Sequence, residues 1–358
     1  MSESSKGSVS VVIPARNEEV NIARVVNSLA GQEGVREILV VDDQSADRTG
    51  EILKSLEAQF TSLRSLRIDS LPKGWNGKTY ALATGARQTS GEWLLFTDAD
   101  TEHRPGSLAA LLEVAEQKRA DLLSLSPGQE TPTWWEKAVI PFVYVRLSKL
   151  YRFEEVSDPA SPAAAANGQF LLIRRGIYQR VGGHEAVRGA LLEDVELARR
   201  VKAAGGRLVF LPGAPWVRTR MYATFTEMWR GWTKNLYLLY GADLGRIVVG
   251  CGETLTFDVL PTPAFLVLCL WIAAGQGSAA IALAAVALFL LALFRQWSYG
   301  RALGRLGFDT RPAAFQAPGA LLFSLMLLNS VWAYRMAGRV EWKGREYSTK
   351  TSAGGGKV

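Results

Sequence analysis

The chain has 358 residues, which is long enough for one α/β domain of roughly 230 residues and a smaller appended part. Its formal charge of +7 reflects 41 Lys and Arg against 34 Asp and Glu, and the excess lies beside apolar segments near the C-terminus. That placement favours a membrane surface as partner and argues against nucleic acid. Two cysteines, Cys251 and Cys269, exclude a disulfide framework and a cysteine-based metal site.

The first two predicted strands both end in polar residues. Residues 9–13 form an apolar run that stops at Pro14, and residues 37–41 form a second run. A helical stretch separates the runs, so the pattern predicts a βαβ unit of a nucleotide-binding α/β fold. The polar residues that follow the runs are Arg16, Asn17 and Glu18, then Asp42 and Asp43. We expect them to line one crevice, and helix capping is an alternative role for the two aspartates.

A third strand-like run, residues 91–97, ends in Asp98-Ala99-Asp100. Two carboxylates separated by one small residue can approach the same divalent cation, and their hard oxygens favour Mg²⁺ or Mn²⁺. A cation at the end of a strand can hold a diphosphate, because α/β sheets bind ligands at that edge. The alternative is a loop that uses aspartate as a turn former. His103, three residues after Asp100, is a candidate third metal ligand.

Glu193 and Asp194 are adjacent carboxylates at the start of a predicted helix. Carboxylates are among the side chains that can act as a general base. The structural alternative is charge complementarity with the helix dipole, which contributes ~0.3–1 kcal/mol.

Residues 134–151 mix aromatic, aliphatic and basic side chains. This composition is typical of an interfacial helix. A core helix of the α/β domain is the alternative.

After Arg246 the composition changes to long apolar stretches. Three of them lack charged residues: 259–276, 278–294 and 317–334. Their lengths approach the ~20 residues that cross a ~30 Å hydrocarbon core. We therefore expect an α/β domain over 1–235, a membrane region over 236–338 and a basic tail over 339–358. The polar start of the chain shows no signal peptide, which predicts a multi-pass protein of the cytoplasmic membrane whose α/β domain faces the cytoplasm.

Three full spans create a conflict in charge placement. They would put the arginines between the last two segments on the cytoplasmic side but the basic tail outside, which the positive-inside tendency disfavours. One segment could be re-entrant, or residues 246–276 could fold as a broken hairpin around Pro261 and Pro263.

The motifs together resemble a known family. In order and spacing, Asn17-Glu18, Asp42-Asp43-Gln44-Ser45, Asp98-Ala99-Asp100 and Glu193-Asp194 resemble the family 2 glycosyltransferases, which have a GT-A fold. Two later runs, Gly182-Gly183-His184 and Val340-Glu341-Trp342-Lys343-Gly344-Arg345, and the earlier run over residues 72–82 resemble the membrane-bound members associated with hopanoid and carotenoid glycosylation. The likeness covers residues 8–347. It implies a GT-A nucleotide-sugar-binding, Rossmann-like α/β domain followed by a C-terminal transmembrane helical region.

The resemblance also implies roles for single residues. Asp194 would be the catalytic base, with Glu193 as its rival, and Asp100 and Asp98 would hold the metal. The donor nucleotide sugar, for which UDP-sugars are favoured, would contact Pro14, Arg16, Asn17, Glu18, Asp42, Asp43, Lys78, Asp98, Arg230 and Trp232. Processive relatives carry the motif Gln-x-x-Arg-Trp, whose Arg and Trp correspond to Arg230 and Trp232. Here Glu227 and Gly231 interrupt that pattern, which argues against polymer synthesis.

The resemblance thus predicts an inverting, metal-dependent, non-processive glycosyltransferase that acts on a hydroxyl or carboxyl of a membrane lipid such as a hopanoid or carotenoid. A polyprenyl-phosphate sugar synthase is the second enzyme reading, because Arg218 and Arg220 could bind a phosphate acceptor. A non-catalytic membrane scaffold with a glycosyltransferase-like fold is the third, and it would not need the carboxylates that are present.

Overall fold

The computed structural model describes residues 8–349 in two compact units. The first unit holds residues 8–130 and Tyr151–Met221, and the second holds Thr131–Leu150 and residues 222–349. The limits expected from composition differ from this division and stay a prediction. Composition does not register that the helix over residues 134–150 packs with the C-terminal helices.

The elements follow one another along the chain. The strands are β1 Val9–Ala15, β2 Val35–Asp42, β3 Leu63–Arg67, β4 Trp93–Phe96, β5 Thr101–His103, β6 Leu122–Ser126, β7 Gly128–Gln129, β8 Leu171–Arg174, β9 Leu208–Pro212, β10 Val217–Thr219, β11 Arg339–Trp342 and β12 Arg345–Ser348. The helices are α1 Ile22–Leu29, α2 Thr49–Glu57, α3 Gly77–Arg87, α4 Ser107–Gln117, α5 Trp134–Leu150, α6 Phe153–Ser157, α7 Arg175–Arg180, α8 Glu193–Ala203, α9 Phe225–Leu239, α10 Leu244–Thr254, α11 Pro261–Trp271, α12 Ala279–Arg305 and α13 Gln316–Trp332.

A seven-stranded sheet in the order β3-β2-β1-β4-β8-β6-β9 forms the centre of the first unit. β1 runs parallel to β2 and β4, whereas β8 is antiparallel to both of its neighbours. Alternate residues of β1 enter two cores, since Val11 and Ile13 pack on one face and Val12 on the other. Strands buried on both faces read as continuous apolar runs, which is the pattern on which the α/β prediction rested. That fold class is confirmed.

A second sheet in the order β5-β10-β7 follows the Asp98-Ala99-Asp100 turn. β10 pairs antiparallel with β5, with Val217 opposite His103 and Thr219 opposite Thr101. The pairing of β5 with β10 therefore fixes the path of the chain directly after Asp100.

In the second unit, α5 crosses α13 at close range. Phe142 and Phe323 contact with ring centroids 5.5 Å apart, and Gly319 lies against the backbone of Ala138. Residues 138–146 of α5 are buried, so the middle of this stretch is a core helix. The core that it enters is that of the second unit and not that of the α/β unit.

Replacing Gly319 with alanine is expected to destabilise the protein by ~1–3 kcal/mol, because the new Cβ would collide with the carbonyl of Ala138. Gly252→Ala is the matched control. It lies in α10 with nothing within 4 Å of its Cβ position, so it should be neutral or stabilising by up to ~1 kcal/mol. Melting temperatures in detergent compare the two. Equal melting temperatures would contradict the close packing of α5 and α13.

Two of the three predicted apolar segments lie in long helices, Ala279–Arg305 and Arg311–Ala337, that meet the length and composition of a membrane span. The first segment differs from expectation. It belongs to a pair, Leu244–Val259 and Pro261–Gln276, which bends by 40° at the break instead of folding back as a hairpin. Proline is tolerated here because Pro261 stands at the first position of its helix, where no backbone donor is needed.

Candidate active site

Three neighbouring strands bring their polar tips to one edge of the large sheet. Ala15 of β1 pairs with Asp42 of β2, and Val12 of β1 pairs with Phe96 at the end of β4. Because these strands are parallel, the loops that follow them emerge side by side, and Pro14 is the next-to-last residue of β1. The predicted crevice lies at this edge.

The loops after β1 and β2 are joined by hydrogen bonds. Arg16 donates from Nη1 to the carbonyl of Asp43 at 2.8 Å, and the Asn17 amide donates to Ser45 Oγ at 2.9 Å. Asn17 has a φ of 53°, a left-handed conformation in which asparagine is enriched, and its Oδ1 accepts from the Ala46 amide. Glu18 is buried and its amide donates to Thr49 Oγ1. The two loops therefore form one rigid rim.

Asp42 and Asp43 are both buried at this rim, and they differ in what holds them. Asp42 Oδ1 accepts from the Ser45 amide and Oδ2 pairs with Arg67 Nη1, each at 2.8 Å. Both oxygens of Asp42 are thus used inside the protein, but in a turn that ends before α2 begins at Thr49, so Asp42 does not cap that helix. The roles of Asp42 and Asp43 in donor binding stay predictions. Arg67 was missed from the sequence, because nothing local links a residue of β3 to the end of β2.

Lys78 connects the end of β4 to the start of α8. Its Nζ lies 2.8 Å from Asp98 Oδ1 and 2.9 Å from Glu193 Oε1. Burial acts to lower the pKa of Lys78, but the carboxylates of Asp98, Glu193 and Asp194 raise it well above its usual value. Lys78 is therefore a fixed cation between the two acidic motifs.

The cap of α3 explains why Lys78 lies there. Asn76 accepts the Thr79 amide at 2.8 Å and so begins the helix, while its Nδ2 donates to the carbonyl of Ala190. One asparagine thereby ties the start of α3 to the loop that leads into α8. A lysine two residues after the cap then faces the Glu193-Asp194 pair.

Asp194 is oriented by backbone amides. The Gly168 amide donates to its Oδ2 and the Val195 amide to its Oδ1, both at 2.8 Å. Burial and the neighbouring charge of Glu193 raise the pKa of Asp194 to about 6, while Lys78 and these amide donors oppose the rise. A carboxylate with a pKa near 6 is ionised at neutral pH and is a stronger base than an ordinary aspartate.

Gly168 is a second position at which distant residues decide the geometry of the site. A Cβ at this position would lie 2.8 Å from Lys78 Nζ and 3.6 Å from both Asp194 Oδ2 and Glu193 Oε1. Glycine therefore leaves room for the three charged groups to meet. A lone glycine before a strand gave a weak signal, because close approach depends on distant residues.

Asp98 and Asp100 follow the end of β4 and have different partners. Asp98 joins the Lys78 cluster, whereas the Asp100 carbonyl accepts from Arg24 Nη2 at 3.0 Å. Within residues 8–349, no group of three or more His, Cys, Asp and Glu side chains is arranged to hold a metal ion.

His103 is buried between the two sheets of the first unit. Its Nε2 lies 3.0 Å from Thr97 Oγ1, and its ring packs against Phe170. Burial lowers the pKa of His103 to about 3, so the imidazole is neutral at physiological pH. Its role as a third metal ligand stays a prediction.

Arg230 and Trp232 lie in the helical unit, on α9. Arg230 pairs with Glu341 of β11 at 3.1 Å, and Trp232 is buried against Tyr144 and Tyr222. Their roles in donor binding also stay predictions.

Comparison with known proteins gives a consistent family. Residues 10–182 match the model of glycosyl transferase family 2. The 4,4'-diaponeurosporenoate glycosyltransferase of Staphylococcus haemolyticus is 28% identical over 359 aligned positions, which cover 96% of this chain and 89% of that protein. Its namesake from Staphylococcus aureus strain USA300 is 26% identical and covers 95% and 88%.

A solved structure resembles the fold over most of its length. It is the mannosyltransferase PcManGT from Pyrobaculum calidifontis, with a TM-score of 0.56, 18% identity and coverage of 91% of this chain and 87% of that one. The likeness at this identity concerns the fold. The family match and the named relatives support an enzyme and not a scaffold: the protein is a glycosyltransferase that contains a family 2 domain over residues 10–182, has a GT-A-like fold and resembles the carotenoid glycosyltransferases.

Proposed function

We propose that the protein is an inverting, metal-dependent, non-processive enzyme that moves a sugar from a nucleoside diphosphate sugar to a membrane lipid. The single observation that carries this proposal is the cluster in which Lys78 joins Asp98 of the donor motif to the Glu193-Asp194 pair. The cluster supplies, within a few ångströms, a cation for the diphosphate and a carboxylate base for the acceptor.

Donor binding is assigned to the rim and the cluster. Asp43 and the loop Arg16-Asn17-Glu18 would hold the nucleoside, since their backbone is rigid and both loops end at the same edge. Lys78 would contact the diphosphate, giving up part of its ion pairing with Asp98 when the donor binds. We favour a UDP-sugar. The solved mannosyltransferase is described with GDP-Man and Mn²⁺, so both nucleotides belong in the test.

Asp98 and Asp100 would hold a divalent cation together with diphosphate oxygens. Their hard carboxylate oxygens fit Mg²⁺ or Mn²⁺, and fewer than three protein ligands suit a cation shared with substrate phosphates. Bound there, the ion supplies electrostatic stabilisation of the leaving diphosphate, an effect worth several kcal/mol.

Asp194 would take the proton of the acceptor. Gly168 and Val195 amides hold its carboxylate in one orientation, which keeps the basic oxygen aimed at one position. The acceptor oxygen then attacks the anomeric carbon opposite the diphosphate, and the configuration inverts. Glu193 is the less suitable base, because Lys78 already occupies its Oε1.

The acceptor is proposed to be a lipid with a hydroxyl or a carboxyl group, such as a hopanoid or a carotenoid. Two features support this: the relatives are named for a carotenoid acid, and apolar helices suited to a bilayer follow the catalytic unit. We place the protein in the cytoplasmic membrane with its catalytic unit in the cytoplasm. A phosphate acceptor is the second candidate, but Arg218 is paired with Glu102 at 3.3 Å, which reduces its capacity to bind one.

Purified protein in detergent should convert lipids extracted from its host to glycolipids with UDP-sugars or GDP-sugars, and mass spectrometry would identify the product. Transfer to a polyprenyl phosphate alone would favour the second candidate. Absence of transfer to every lipid class with every donor would contradict the proposed function.

Asp100→Asn is expected to abolish turnover and weaken donor binding when Mn²⁺ is present, because an anionic ligand of a hard cation is removed. Donor affinity measured by calorimetry, with Mn²⁺ and with excess chelator, tests the cause. In chelator the wild type and the variant should bind donor equally. Full activity of the variant, or undiminished wild-type turnover in chelator, would reject the metal role.

A further inference from the structure

α11 and α12 form a helical hairpin that is apolar on all sides. Phe265 and Phe289 contact between the two helices with ring centroids 5.2 Å apart. Only 6% of the most apolar 18-residue stretch of α12 is buried. The exposed large side chains include Leu266, Val267, Leu270, Leu283, Val286, Phe289, Leu290 and Leu293. A helix that is hydrophobic around its whole circumference requires an apolar environment, and lipid is the one that fits two such helices.

α13 has a different surface, although it is equally long with its flanking turns. Of the most apolar 18-residue stretch within residues 311–337, 44% is buried. Its exposed large side chains fall on one stripe, with spacings of three and four residues: Leu321, Leu325, Leu328, Trp332 and Met336. The rest of the helix is covered by neighbouring helices, so α13 offers an apolar surface to lipid along this stripe alone.

The remaining faces of α13 are covered by α5 and α9. Asn329 donates to Thr233 Oγ1 at 3.0 Å, and Ser330 Oγ accepts the Tyr237 amide at 2.9 Å. One turn later, the Tyr334 hydroxyl donates to the carbonyl of Lys234 at 2.7 Å. The C-terminal half of α13 is therefore bound along the length of α9.

α9 carries charges that do not belong in hydrocarbon. Arg230 is about half exposed and pairs with Glu341, and the ammonium of Lys234 lies 5.1 Å from the centre of the Trp342 ring. Charged side chains at mid-bilayer are costly and rare. Since the C-terminal half of α13 and the hairpin of β11 and β12 both bind to this charged helix, they lie outside the hydrocarbon core.

Polar residues mark the base of the apolar hairpin. Asp258 directly precedes the outgoing segment, residues 259–276, and Arg295 directly follows the returning segment, residues 278–294. Arg295 Nε donates to Asp258 Oδ1 at 2.9 Å. Gln316, at the start of α13, donates to the same Asp258 oxygen at 2.8 Å. A small cavity beside them is also lined by Arg146 and Lys149. Both ends of the hairpin thus meet at one level, where cations can reach anionic headgroups.

We propose that only the hairpin of residues 259–294 crosses the bilayer, and that α5, α9 and α13 lie on one membrane surface. The outgoing 18 residues span ~27 Å at 1.5 Å per residue. The remaining few ångströms of a ~30 Å core can be met by snorkelling of residues such as Arg295. The arginine-rich segment 295–311 and the basic tail 339–349 then share one side of the membrane. This arrangement removes the conflict with the positive-inside tendency that three spans create.

Single cysteines test the topology in a full-length background in which Cys251 and Cys269 are replaced by alanine. Gln276→Cys stands at the tip of the hairpin, Thr310→Cys in the segment before α13, and Ser348→Cys at the end of β12, and all three native side chains are exposed. A membrane-impermeant maleimide is applied to spheroplasts and to inverted vesicles. Labelling in detergent verifies that each cysteine can react, and Glu346→Cys replaces Ser348→Cys if the latter cannot.

We expect Gln276→Cys to react only in spheroplasts, and Thr310→Cys and Ser348→Cys only in inverted vesicles. Reaction of Ser348→Cys from the same side as Gln276→Cys would mean that α13 crosses the membrane. Reaction of Gln276→Cys from the side of Thr310→Cys, or from neither side, would mean that the hairpin does not cross. Either result would overturn the proposal, and none depends on glycosyl transfer.

Discussion

Replacing Asp194 with asparagine is expected to lower turnover on a hydroxyl acceptor by ~10²–10⁴-fold, the usual contribution of a general base. Asparagine preserves the shape of the side chain, and its single oxygen can still accept from one of the two backbone amides, those of Gly168 and Val195. It cannot take the proton of the acceptor. Nucleotide affinity should stay near that of the wild type. Steady-state rates and nucleotide titrations on the same preparation provide the measurement.

The pKa of Asp194 predicts two further results. Because the base must be ionised, wild-type turnover should fall as the pH drops below about 6. Folding raises this pKa above its usual value of 3.8, so the stability that the group contributes is present below 3.8 and is lost as pH rises through about 6. At neutral pH the variant should therefore melt at the same temperature as the wild type or higher.

Glu196→Gln is the matched control, since Glu196 lies on the same helix and pairs with Arg199 at 3.3 Å. It should change neither rate nor pH profile. Glu193→Gln tests the rival base. A normal rate in Asp194→Asn with a lowered melting temperature would contradict the catalytic role. The size of the loss also reports on the acceptor, because a carboxyl is already ionised at neutral pH and needs a base far less than a hydroxyl does.

Replacing Lys78 with methionine is expected to weaken donor affinity by about 10–100-fold, because hydrogen bonds to charged groups contribute ~1.5–3 kcal/mol. The change leaves Asp98, Glu193 and Asp194 near one another without their shared cation. Since Lys78 acts to lower the pKa of Asp194, its loss should also move the acidic limb of the rate profile to higher pH. Donor titrations and turnover between pH 5 and 8 measure both effects.

Lys73→Met is the control for Lys78→Met, because Lys73 is an exposed lysine in the turn that precedes α3. It should bind donor normally. If Lys78→Met binds donor with unchanged affinity and keeps the wild-type pH profile, the lysine has only a structural role. Melting temperatures of both variants separate that outcome from loss of folding.

The α/β class and the edge of the sheet that carries the site were predictable from local pattern. Strands buried on both faces must be apolar throughout, and their ends must become polar where the chain leaves the sheet. That rule identified Asp43 after β2 and Asp98 after β4 as neighbours at one edge. The cap at Asn76 and the glycine at residue 168 also stand in the sequence, but their partners are 114 and 26 residues away, respectively. Local pattern cannot register such pairings.

The sequence by itself determined the chemistry that is available: carboxylates at strand ends and before a helix, a basic C-terminal half, and apolar stretches long enough for lipid. The tertiary structure decided how these are combined. It brings Lys78 between Asp98 and Glu193, uses Asp42 internally through Arg67, and covers α13 with α5 and α9 while leaving the hairpin of α11 and α12 bare. The physical reason is that composition measures how apolar a segment is, whereas burial and charge pairing depend on which distant residues the fold places against it.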